Sequence, residues 1–110
     1  MAVAIGTLAA CGGGGGGSCP NDLPGACPST PPSYARDISP VISGRCFPCH
    51  APGGQEQVKP LTTYQQVFDQ RGPVLDQVYH CRMPLSGAPQ LTAGERAQLL
   101  TWLVCNAPDN

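Results

Sequence analysis

The chain has 110 residues, with six Lys and Arg against seven Asp and Glu, 41% hydrophobic residues, 5% aromatics, 14 glycines, 13 prolines and seven cysteines. That length suits one domain, the few aromatics leave a thin core, and the cysteine density signals disulfides, a metal or a cofactor. The lack of a basic surplus to neutralise phosphates argues against nucleic acid as a partner, and no run of about 18 apolar residues exists to form a membrane bundle.

In chain order, residues 1–10 are uncharged, mostly apolar and end in small residues. Leu8-Ala9-Ala10-Cys11 resembles the lipobox that closes a bacterial lipoprotein signal peptide. The resemblance implies cleavage before Cys11, a lipid on Cys11, and anchoring in the bacterial cell envelope facing the periplasm or the exterior. The plain alternative is a loose apolar tail.

Residues 11–32 are rich in glycine and proline, from the Gly12–Gly17 run to Pro31 and Pro32. Such a segment buries too little apolar surface to offset its ordering entropy, so it reads as a tether, with an r.m.s. reach of roughly 25 Å.

Residues 33–110 read as the folded part. Apolar residues there do not alternate with period two, so helices are expected and the fold class is all-α. A short first helix has Ser39 as N-cap and Pro40 at its first position, and carries Val41 and Ile42. A second spans about 63–70, with Tyr64, Val67 and Phe68 on one face. A third spans about 73–80, with Val74, Leu75, Val78 and Tyr79. The last opens on the capping box Thr92-Ala93-Gly94-Glu95 and carries Leu99, Leu100, Trp102, Leu103 and Val104. Asn106 and Pro108 end it.

Just after the first helix stands Cys46-Phe47-Pro48-Cys49-His50. Cys-x-x-Cys-His is the attachment signature of c-type haem. Two thiols three positions apart can each add to one vinyl group on a porphyrin edge. The next residue then lies over the ring, where the His50 imidazole can bind iron. A redox dithiol would need a preceding strand, and this motif follows a helix. A zinc site would need a second ligand pair of similar spacing, and the adjacent His80-Cys81 is poorly suited to chelate one ion.

Met83 is the natural sixth ligand. If residues 1–10 are removed it is the chain's one thioether. It lies between the third and fourth helices, before Pro84. The alternatives are a gap-filling core methionine, His80 as the ligand, or an open site. His80 also has a simpler role as a charge at a helix C-terminus.

Helix, Cys46-x-x-Cys49-His50, Tyr64, Met83-Pro84 and a final helix with Glu95 and Trp102 together resemble a class I c-type cytochrome domain, a small monohaem bacterial cytochrome c. The resemblance covers residues 33–108. It implies a small helical bundle around one covalent haem c, His50 and Met83 as axial ligands, and single-electron transfer between redox partner proteins with no enzymatic turnover. It also implies side chains on the haem propionates, with Arg82, Tyr64 and Trp102 as candidates. The competing function is a haem enzyme or gas sensor, peroxidase-like, with an open distal site.

With Cys11 lipidated and Cys46 and Cys49 on haem, four cysteines remain, and they allow three pairings. Proximity favours Cys19–Cys27 and Cys81–Cys105. The second bridge would staple the Met83 loop to the last helix. Disulfides and covalent haem both call for an oxidising compartment. On this reading the haem supplies most of the apolar core.

Overall fold

The computed structural model describes residues 19–50, 54, 60–85 and 87–110. Among them there are helices and no strand, as the absence of period-two patterning implies. A π-helical turn, Tyr34–Ile38, runs directly into α1 (Ser39–Arg45). Then come α2 (Phe47–His50), α3 (Tyr64–Asp69), α4 (Arg71–Tyr79) and α5 (Ala93–Val104). The expected signal segment, the lipid site at Cys11 and the start of the tether lie outside the described residues.

Three of the helix starts have a local cause. The first helical run begins one turn earlier than expected. Its cap is Ser33, whose Oγ accepts from the Arg36 N–H at 3.1 Å while the Asp37 carboxylate accepts from the Ser33 N–H at 2.8 Å. Ser39 therefore lies inside the run and caps nothing. Pro40 follows with no N–H to give, and the turn before it is wound in the wider π register. A reciprocal capping box opens α3, where Thr63 pairs with Gln66. The Thr92–Glu95 box opens α5 as its sequence predicts.

Two helices end in the same motif. At the end of α4 the Arg82 N–H reaches the Gln77 carbonyl at 2.8 Å and the Cys81 N–H reaches the Val78 carbonyl at 3.0 Å. At the end of α5 the Ala107 N–H reaches the Trp102 carbonyl and the Asn106 N–H the Leu103 carbonyl, both at 3.0 Å. These are Schellman closures, and each needs a left-handed residue just past the cap. Asn106 fills that place with φ 68°, and Cys81 fills the other with φ 59°. Asparagine tolerates this backbone; a β-carbon such as that of cysteine is rarer there.

The core gathers Ile38, Ile42, Leu61, Val67, Val78, Leu99, Leu100, Trp102, Leu103 and Ala107. α5 packs on α4 and on the π-helical turn, and α3 packs on α4. The Tyr34 ring lies 5.1 Å from Tyr64 and 5.5 Å from Trp102. These described residues thus assemble an apolar core of protein side chains.

The C-terminal tail closes the ring of contacts. Tyr64 donates its hydroxyl to the Ala107 carbonyl at 2.7 Å, and the Trp102 indole N–H donates to the Pro108 carbonyl at 2.9 Å. The Asn110 side chain accepts from the Tyr34 N–H at 2.7 Å and donates to the Pro32 carbonyl at 3.1 Å.

The disulfides correct the expected pairing. Cys19 joins Cys81 and Cys27 joins Cys105, in place of Cys19–Cys27 and Cys81–Cys105. Sequence proximity misled because residues 19–27 lie against the helical body. Asp22 pairs with Arg96 at 2.8 Å, and Asn21 accepts from the Tyr79 hydroxyl. The bridges close separations of 62 and 78 residues. In the loop-entropy model such closures are worth about 4 kcal/mol each, more than a short local loop would give.

Candidate functional site

The Cys46–His50 motif forms one helical turn at the end of α1. The Cys46 N–H donates to the Ile42 carbonyl at 2.8 Å, and the His50 N–H donates to the Cys46 carbonyl at 2.8 Å. The far end of this turn is pinned as well: the His50 carbonyl accepts from the N–H of buried Leu61 at 2.8 Å. The turn is therefore held at both ends by backbone that belongs to the core.

Gly54 lies close over the same turn. A β-carbon there would stand 2.5 Å from the Cys49 carbonyl oxygen and 2.7 Å from its carbonyl carbon. Both are backbone atoms, so the motif itself would have to shift. Gly54→Ala is expected to displace the Cys49 end of the turn and lower the yield of correctly assembled protein severalfold. Comparing the melting temperature and the purified yield of the variant with wild type checks this.

A cleft opens beside this turn, with about 1050 Å³ of atom-free space including its mouth. Cys46, Cys49, His50 and Met83 all line it, together with Pro84. Four residues singled out from sequence, separated by up to 37 positions, thus share one cavity. Its walls are largely aliphatic, from Leu61, Val74, Val78, Leu85, Leu91 and Leu99. Arg45, Gln70 and Gln77 supply polar edges. An apolar cleft with a few convergent polar groups is the usual form of a cofactor site.

Met83 reaches the cleft because of how α4 ends. The Schellman closure turns the chain off the helix axis at Cys81, and the Gln77 carbonyl then accepts from both the Arg82 N–H and the Met83 N–H, the latter at 3.1 Å. Beyond Met83, the Gln90 amide donates to the Pro84, Leu85 and Ala88 carbonyls, at 2.7 Å for Leu85. Sequence reading missed Gln90; an isolated glutamine before a helix carries no pattern that announces a loop clamp.

The sulfurs differ in state. Cys46 is a free thiol, and burial pushes it up to about 11. A redox dithiol needs a nucleophilic thiolate with a lowered pKa, so this environment suits that role poorly. Cys49 is disulfide-bonded. Among the described residues, no three of His, Cys, Asp and Glu gather closely enough to hold a metal ion between them.

The remaining expected site residues are placed elsewhere. His80 caps α4, as its sequence position suggests, and its Nδ1 lies 3.2 Å from an Asp76 carboxylate oxygen. It does not line the cleft. Arg82 pairs with Asp76 at 2.5 Å and with Gln77 at 3.1 Å. Tyr64 and Trp102 spend their polar atoms on the C-terminal tail. None of these three is among the residues that line the cleft.

Among the described residues, Arg45 is a cationic side chain that does line it. The guanidinium donates to both Glu95 oxygens, at 2.9 and 3.3 Å, joining the end of α1 to the start of α5. The Arg45 hydrogen bond, followed by the Thr92 N–H, holds the Glu95 carboxyl below its ordinary value of 4.5. A carboxyl lowered by folding adds stability that is complete above its unfolded value and is lost as pH falls through the folded one. Wild type is therefore expected to lose more stability than Glu95→Gln on acidification from pH about 5 to 3. Gln keeps the capping acceptor and removes the charge. Urea melts of the two proteins across that range check the difference.

No known protein family, curated protein or solved structure matches the chain.

Proposed function

We propose that this chain is a single-electron carrier that holds one covalent haem c in the cleft beside α2. The observation that carries the reading is the convergence of Cys46, Cys49, His50 and Met83 on one largely aliphatic cleft. Bound haem would supply the one-electron chemistry, its iron cycling between ferric and ferrous forms.

The donor set suits that group. Cys46 and Cys49 lie on one turn, at the spacing that lets two sulfurs reach two vinyl groups on one porphyrin edge. His50 follows in the same turn and would bind the iron through its imidazole. Met83 would bind it through its thioether, a soft donor that favours ferrous iron and would raise the potential. The aliphatic walls would exclude water from the bound group, which acts in the same direction. His80, the competing ligand, is engaged by Asp76 outside the cleft.

Attachment asks two things of the protein. Each thiol must add S–H across one vinyl C=C, so both cysteines must be reduced when haem arrives. The Cys49 disulfide and a Cys49 thioether are alternative fates of one sulfur. On this reading the chain works in an oxidising compartment of the bacterial cell envelope, tethered through a lipid on Cys11, and exchanges electrons with partner proteins. The open-site alternative, a haem enzyme or sensor, requires Met83 to be off the iron.

The test is a pyridine haemochrome assay with intact mass, on protein expressed with a cytochrome c maturation system. One haem per chain is expected, retained through denaturation, with neither Cys46 nor Cys49 open to alkylation. A haem-free product in which Cys49 stays in its disulfide would defeat the reading.

A further inference from the structure

The segment before the helices is expected to be a passive spacer, yet its residues 19–22 are fastened beside Met83. Cys19 is bonded to Cys81, two residues before Met83. Asp22 accepts from Arg96 at 2.8 Å through Nη2 and at 2.9 Å through Nε. The same guanidinium donates to the Val78 carbonyl at 2.8 Å and the Tyr79 carbonyl at 3.1 Å, at the end of α4. Arg96 thus joins α5, the exit of α4 and the N-terminal segment, and its side chain is only 13% exposed. A small second cavity, lined by Pro20, Cys81, Met83, Pro84, Leu91 and Arg96 among others, lies between this contact and the Met83 loop.

We infer that Arg96 is a positioning residue for Met83, and that residues 19–22 form a strap which Arg96 and the Cys19–Cys81 bridge lock against the Met83 loop. The inference rests on the reading of Met83 as an iron ligand, and adds what holds the loop that carries it. The physical argument starts at Cys81. It occupies a left-handed backbone that few residues with a β-carbon adopt. Its conformation decides the direction in which Arg82 and Met83 leave the helix. The Schellman bonds favour that conformation, and the strap and Arg96 hold it from outside. The guanidinium fits because it can bind two carbonyls and a carboxylate in one plane, which an ammonium cannot do. The carboxylate is needed too: the Arg96 hydrogen bond holds Asp22 ionised to lower pH than an ordinary aspartate.

The experiment compares wild type, Arg96→Ala, Arg96→Lys and Asp22→Asn, each matured with haem. Three quantities are read: haem content, the weak long-wavelength absorption of a thioether–ferric iron bond, and native-state hydrogen exchange of the Arg82 and Met83 amides. Arg96→Ala is expected to keep haem content. It should lose most of the thioether band, bind carbon monoxide at least tenfold faster in the ferrous state, and speed exchange of both amides at least tenfold. Arg96→Lys should recover these properties in part. Asp22→Asn, which leaves the carbonyl bonds of Arg96 in place, should show a smaller change in the same direction, and it decides the matter if Arg96→Ala does not fold. Variants that match wild type in band and exchange overturn the inference while leaving the haem reading intact. A haem-free wild type defeats the haem reading instead. The exchange rates then still decide whether Arg96 fixes the Met83 loop.

Discussion

Met83→Ala is expected to keep its haem and lose its electron-carrier character. In the proposed carrier both thioethers and His50 would remain, so the stoichiometry should stay at one. The sixth position opens, and the iron should turn high-spin or take up water or added imidazole. The midpoint potential should fall on the order of 0.1–0.3 V, part of the roughly 0.8 V over which axial ligands tune haem. The loop itself should survive, because its start hangs on the Gln77 carbonyl and its far side on the Gln90 amide, and neither involves the Met83 side chain. His80→Ala is the control: its ring faces Asp76, so the spectrum should barely change. Optical spectra, redox titration and carbon monoxide binding of the two variants check this. If wild type already binds carbon monoxide rapidly and Met83→Ala changes neither spectrum nor potential, the open-site enzyme or sensor takes the carrier's place.

The parts of this molecule that sequence makes legible are those written in adjacent residues. Thr92 and Glu95 satisfy each other's backbone donors within one turn, so the start of α5 is readable without any tertiary information. The same holds for the motif turn, since its spacing is local. The Ser39 cap failed because Ser33 and Asp37 offered a better closure one turn earlier, and nothing local ranks the two. Pairing of the cysteines failed for a different reason. Loop-closure entropy rewards nearby partners in an unfolded chain, whereas the observed pairs follow from Asp22 finding Arg96 and residues 19–27 lying along the body. The resemblance makes Tyr64 and Trp102, aromatic rings with polar tips, candidates for the haem propionates. The polar tips went to two carbonyls of the tail, a demand invisible until the tail's path is known. Gln90 and Arg96 act on backbone carbonyls, and a carbonyl has no sequence signature.

Replacing Cys46 and Cys49 together by alanine is expected to have the largest effect, abolishing stable haem attachment. His50 and Met83 alone would hold a haem only as an exchangeable ligand, lost on denaturation. What the polypeptide does then is decided by the core. Trp102, Leu99, Leu100, Ile38 and Ile42 are almost fully buried by other side chains, and Cys19–Cys81 and Cys27–Cys105 remain. The double variant should therefore retain most of its far-ultraviolet helical signal. The cleft wall is another matter. Without a group to fill it, the aliphatic faces of Val74, Leu85 and Leu91 are left against water. Exposed apolar area costs roughly 25 cal/mol per Å², so the variant should bind hydrophobic dyes and melt at lower temperature than haem-loaded wild type. The Cys46→Ala single variant separates attachment from the disulfide at Cys49, because it removes one thioether and leaves Cys49 its choice. It should carry haem through one thioether at reduced yield, shifting the haemochrome band toward that of a haem with one vinyl intact. A double variant that still carries haem through denaturation would show that the attachment lies elsewhere, and the cleft beside α2 would lose its claim to the cofactor.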